Sequence, residues 1–185
     1  MGMRTGPFLV AAALLLALAG CVPTGTGGSP SPSASATPVF ASDAEALAAA
    51  EKAYAAYLTV SDQIANDGGK DPERLDGLAL RTLLSDDRYG FQSFADKGWH
   101  SVGTTTLTKT ILQSTDLGTE ATNQGAVTVY LCEDVSGVDV VDMNGVSVVS
   151  AGRPKQQQFQ VSFDLVQSRL IPSEREPWAG SSICN

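Results

Sequence analysis

The spacing of the apolar residues changes at Gly103, and that change constrains the fold more than any single motif. Before it, Leu47, Ala50, Tyr54, Tyr57, Leu58 and Ile64 recur at intervals of three and four, the spacing of one helix face. After it, Val127, Val129 and Leu131 alternate with Thr128, Tyr130 and Cys132, the spacing of a strand. Helices gathered first and strands gathered afterwards predict an α+β domain, with N-terminal helices packed on one face of an antiparallel sheet.

The boundaries follow from local chemistry. Ser42-Asp43-Ala44-Glu45 is a capping box that opens a long Ala-rich helix, and Asn66-Asp67-Gly68-Gly69 ends it. Asp71-Pro72-Glu73 predicts a second helix carrying Leu75, Leu78, Ala79 and Leu83, and a shorter third is expected from Asp86 towards Lys97 with Tyr89, Phe91 and Phe94. Strands are expected over Thr104 to Leu112, Ala126 to Cys132 and Gln156 to Val166. Valines flank Asn144-Gly145, the favoured two-residue turn, so Val138 to Val149 reads as a hairpin. Arg169 to Ile171 extends the pairing, with Pro172 confining it to an edge or an ending.

Before the domain lies a different kind of sequence. Arg4 precedes an apolar run from Phe8 to Ala19, which has the length of a signal-peptide core and falls short of the roughly 20 residues that span a bilayer. Its end, Leu18-Ala19-Gly20-Cys21, resembles the lipobox of bacterial lipoproteins. That resemblance implies lipid transfer to the Cys21 sulfur, cleavage after Gly20 and acylation of the new amino terminus with chains such as palmitate. Residues 1–20 are then a lipoprotein signal peptide, 21–41 a disordered Pro/Gly/Ser/Thr tether, and 42–185 the folded domain. The expected location is the extracytoplasmic face of the cell membrane, with the membrane itself the first partner through the lipid anchor.

Composition narrows the remaining partners. The whole chain has net charge −8, and without Arg4 it carries 11 basic against 20 acidic residues, or −9. Nucleic acid is not an expected partner, because binding it needs clustered Lys and Arg.

The order of helices and sheet, the ending Glu176-Pro177-Trp178-Ala179-Gly180 before Cys184, and the segment Cys132-Glu133-Asp134-Val135-Ser136 together resemble the nuclear transport factor 2-like superfamily, in particular its actinobacterial lipoprotein members. The resemblance covers about Ser42 to Cys184 and implies a cone: a curved sheet wrapping one long helix, with a cavity open at one end. Superfamily members include isomerases, dehydratases, cyclases and pure binding modules, so the fold alone assigns no activity.

Candidate sites are few. With Cys21 lipidated, Cys132 and Cys184 remain, and an exported setting favours a disulfide over two separate thiols. One Cys pair and the chain's single His supply too few ligands for a metal, so no metal or cofactor is expected. Asp142-Met143-Asn144-Gly145 does not make a calcium loop, since Val140 and Ala151 would occupy the first and twelfth ligand positions. Tyr54 and Tyr57, on the core face of the first helix, and Trp99-His100, near the mouth of the implied cone, are the candidate pocket residues. No catalytic residue is assigned. The favoured reading is a non-enzymatic module binding a protein or small ligand; the alternative is a lyase or isomerase using His100, Tyr57 or a buried Asp. A buried carboxylate with raised pKa facing His100 or Tyr57 would favour chemistry, and an interior plugged by side chains would favour a binding scaffold.

Overall fold

The computed structural model describes residues 39–116 and 124–184. The chain divides into units of residues 1–35 and 36–185, and the described residues all fall in the second. The expected signal segment, Cys21 and nearly all of the tether lie outside the described residues. The fold class is α+β, with the helices preceding the strands.

Helix α1 runs Asp43–Asn66. Its first turn is capped as expected: Ser42 Oγ accepts from the Glu45 amide at 3.2 Å, while Glu45 Oε2 accepts from the amide of Ala41, one residue earlier than the usual partner. At the other end Gly69 has φ 79°, and a Cβ there would stand 2.1 Å from the Phe91 carbonyl oxygen. Glycine is therefore required where α1 closes on the following helix.

One helix, α2 at Arg81–Lys97, replaces the two expected between Asp71 and Lys97. Pro72–Leu75 forms only a 3-10 turn. Leu75 is fully buried already, Gly77 takes φ 76°, and the Leu80 amide donates to the carbonyl of Pro172 rather than to its own helix. Tertiary pairing thus interrupts a stretch whose apolar spacing is helical. Phe91 turns to the core, whereas Tyr89 is 81% exposed.

The strands are β1 His100–Val102, β2 Thr106–Thr115, β3 Val127–Asp134, β4 Asp139–Val141, β5 Gln156–Val166 and β6 Arg169–Pro177. The main sheet is antiparallel in the order β2-β3-β5-β6, and β1 pairs with β4 in a separate ribbon. The expected hairpin is present in short form, the Asp142 amide donating to the Val146 carbonyl and the Val148 amide to the Val140 carbonyl around a three-residue loop rather than a two-residue one. The returning arm holds a single bridge, Val141 to Ser147, and β4 takes β1 as its partner on the other side. Asp142 organises that turn by accepting from the amides of Asn144 and Val146, so its carboxylate is already satisfied. Pro172 sits inside β6, an edge strand, and its free carbonyl serves α2.

Val127, Val129 and Leu131 of β3 and Val161, Phe163 and Leu165 of β5 face α1 and form the core with Ala46, Ala50, Tyr54, Tyr57 and Ile64. Burying each large side chain contributes about 2 to 3 kcal/mol. The opposite face is covered by the C-terminal tail. Trp178 exchanges hydrogen bonds with Gln158, the Ile183 amide donates to Gln158 Oε1, and Cys184 reaches Cys132.

Candidate functional site

Strand parity sets the site. Glu133 shares the inward face of β3 with Val129 and Leu131, which aims a carboxylate at α1. The Tyr54 hydroxyl donates to its Oε1 at 2.5 Å, and Arg175 of β6 stands 3.5 Å from the same oxygen. One turn along α1, the Tyr57 hydroxyl donates to Asp87 Oδ2 of α2 at 2.8 Å. The two tyrosine rings lie 5.2 Å apart, and the Arg175 guanidinium rests 4.7 Å above the Phe159 ring. Two tyrosines, two carboxylates and one guanidinium thus form a polar core within the apolar one.

Burial dominates its electrostatics. It pushes the Glu133 carboxyl up, with Arg175 and the Tyr54 hydrogen bond pulling back. It pushes Asp87 up in the same way, against Arg175 and Tyr57. Both tyrosines are raised, first by burial; the next largest influence on Tyr54 is the Glu133 charge, which adds to the rise, whereas on Tyr57 it is Arg175, which opposes it. Tyr54 and Tyr57 are each 1% exposed, and their hydroxyl protons are committed. Among the described residues no buried side-chain nitrogen or oxygen lacks a partner.

Trp99 and His100 stand elsewhere. They line a groove of 510 Å³ with Asn66, Lys70 and Asp71, and neither tyrosine borders it. Trp99 meets Phe94 edge to face and carries the Lys97 ammonium 4.3 Å above its ring, while His100 opens β1 opposite Val141. The four candidate pocket residues therefore do not form one site. The tyrosines acquired partners that sequence reasoning did not name: Glu133, Asp87 and Arg175. A readable signal existed for Glu133, an acidic residue at the inward parity of a valine-rich strand.

Cys132 and Cys184 lie at disulfide distance, S–S 2.06 Å and Cα–Cα 5.3 Å. The tail they hold places Trp178 over Tyr130, ring centroids 4.3 Å apart, on the outer face of the sheet rather than at one end of the core. Gly180 is needed there, because a Cβ would fall 2.1 Å from the indole.

A second groove, of 350 Å³, runs between α1 and the start of β6 and is lined by Ala49, Ala53, Leu78, Leu170, Ile171 and Pro172 among others. Among the described residues no group of three or more His, Cys, Asp or Glu could hold a metal ion, and no helix is long and apolar enough to cross a membrane.

No family model matches the chain, and no curated protein matches it. Among solved structures, the crystal structure of the intermembrane space region of the chloroplast protein ARC6 is similar with a TM-score of 0.51, covering 72% of this chain and 97% of that one at 15% identity. At that identity the likeness concerns the fold alone.

Proposed function

We propose that the chain is a lipid-anchored extracytoplasmic lipoprotein whose nuclear transport factor 2-like domain is a non-enzymatic binding module. The observation that carries the non-enzymatic reading is the commitment of the interior groups. Tyr54 and Tyr57 are 1% exposed, each donates to a carboxylate, and the grooves described above do not reach them. A general acid or base must come within hydrogen-bond reach of its substrate. Here the hydroxyls of Tyr54 and Tyr57 and the carboxylate of Glu133 are held within one network with Asp87 and Arg175, as structural groups are. Binding then falls to the exterior, where grooves and the tail-covered face are accessible to a small ligand or a protein.

A lyase or isomerase reading draws on one specific feature, the raised Asp87 carboxyl facing Tyr57. The two readings separate in one experiment on the full chain. Small hydroxy and keto compounds are supplied to wild type, Tyr57→Phe and Asp87→Asn, and both binding and chemical change are followed. Saturable binding with the compound recovered intact is expected. Turnover lost in both variants overturns the module reading.

A further inference from the structure

The groove between α1 and β6 combines an apolar lining with two cations in an acidic protein. Its lining is apolar: Ala49 and Ala53 from α1, Leu78 from the loop before α2, Leu170, Ile171 and Pro172 from β6. Alanines at that helical spacing leave a trough where larger side chains would fill it. Among the described residues Lys52 and Arg169 are the only charged ones lining the groove, and both are exposed. No described Asp or Glu lines it.

Arg74, Arg81, Arg88 and Arg175 each pair with a carboxylate, and Arg153 donates to the carbonyls of Val135 and Val138. Among the described residues neither Lys52 nor Arg169 has an ion pair or side-chain hydrogen bond, although acidic residues outnumber basic ones. Lys70 and Lys155 likewise lack an ion pair or side-chain hydrogen bond among the described residues, so what distinguishes Lys52 and Arg169 is their place beside an apolar trough. We propose that this groove binds a single-chain anionic amphiphile, a long-chain carboxylate, with the hydrocarbon along the alanine trough and the headgroup held by Lys52 and Arg169. Charge complementarity selects an anion, and the apolar lining selects its chain. The volume, 350 Å³, falls within the range of ligand sites, about 300 to 1,000 Å³. This assignment rests on the binding-module reading and names its ligand class.

The test uses the full chain in phosphatidylcholine nanodiscs and a diazirine-bearing dodecanoate, with a chain-matched dodecyltrimethylammonium probe as control. Saturable labelling is expected in residues 49–56 and 168–172, stronger for the carboxylate by about tenfold, as a charge-assisted headgroup contact implies. Lys52→Ala with Arg169→Ala should reduce it by a similar factor, and Ala53→Trp should block the trough. Because Lys52 and Arg169 are exposed and unpaired, the double variant remains informative even if Ala53→Trp does not fold. Equal labelling by the cationic probe, no saturable labelling, or displacement only by an acidic peptide overturns the proposal. Saturable labelling confined to the outer sheet face overturns it too but leaves the binding-module reading standing, whereas a chemically altered carboxylate overturns that reading.

Discussion

The hydroxyl of Tyr54 lies 2.5 Å from Oε1 of Glu133, joining the middle of α1 to the end of β3 across 79 residues of sequence. Glu133 is 4% exposed, so its charge is kept tolerable by this bond and by Arg175. Tyr54→Phe removes the hydroxyl and leaves the carboxylate with one long contact. Urea unfolding should show a loss of about 2 kcal/mol. Tyr57→Phe should cost less, because Asp87 is only half buried and water can replace the hydroxyl.

Stability should rise as pH falls from neutrality towards the ordinary carboxyl value. Burial holds Glu133 and Asp87 above the ordinary carboxyl value near 4. A carboxyl with a raised folded pKa favours the folded state fully below its unfolded pKa and loses that contribution as pH rises through the folded one. Asp134 and Asp142 have the opposite sign. Hydrogen bonds from Ser136 lower the first, and those from the Val146 and Asn144 amides lower the second, so their contribution is lost below pH about 4. Melting across pH should therefore peak on the acid side of neutrality and fall once the ordinary carboxyl value is passed. Glu133→Gln with Asp87→Asn should flatten the rise, and an unflattened rise would assign it to other groups.

Reducing the Cys132–Cys184 bond should lower the melting temperature by about 10 °C. The bond closes 52 residues, which corresponds to about 4 kcal/mol in the chain-entropy model. Calorimetry with and without reductant reads it, and thiol mass spectrometry establishes the oxidation state. Two free thiols in exported protein would contradict the pairing.

Ser168→Gly should stabilise the domain. Gln167 and Ser168 form the β5–β6 turn with φ 49° and 63°, the left-handed region that costs residues with a Cβ about 1 kcal/mol each. Glycine removes that cost at position 168, where the side chain is exposed. A gain of about 1 kcal/mol in urea unfolding is expected, and a loss would show that the Ser168 side chain contributes.

Cys21→Ser should leave the protein unprocessed or unanchored, because the proposed lipid transfer and cleavage both depend on that thiol. Detergent-phase partitioning decides it. Normal retention of the variant in the membrane fraction would end the lipoprotein reading.

Local chemistry made several bounds legible. The Ser42 cap and the Gly68-Gly69 stop bracket α1 as expected, and strict alternation placed β5 at Gln156–Val166 without error. What escaped was set by contacts distant in sequence. Leu75, Leu78, Ala79 and Leu83 have helical spacing, yet Leu80 hydrogen bonds to Pro172, nearly a hundred residues on, and the helix waits until Arg81. The valines around Asn144 do pair, Val148 with Val140, but β4 also takes β1 on its other side, a partner that no local pattern advertises. Tyr54 and Tyr57 could be placed on the core face, whereas their partners on β3 and α2 became visible only once strand parity and helix packing were known together.

The tail bond has a mechanical consequence. A chain drawn by its two ends can release α1 and β2, but everything between Cys132 and Cys184, including β4, β5 and β6, is shielded from tension while the bond holds. At about 3.4 Å per extended residue, the 52-residue separation conceals roughly 180 Å of contour length. Force spectroscopy should record that length only after reductant is added, so the oxidised domain yields a short, abrupt extension where the reduced one pays out fully.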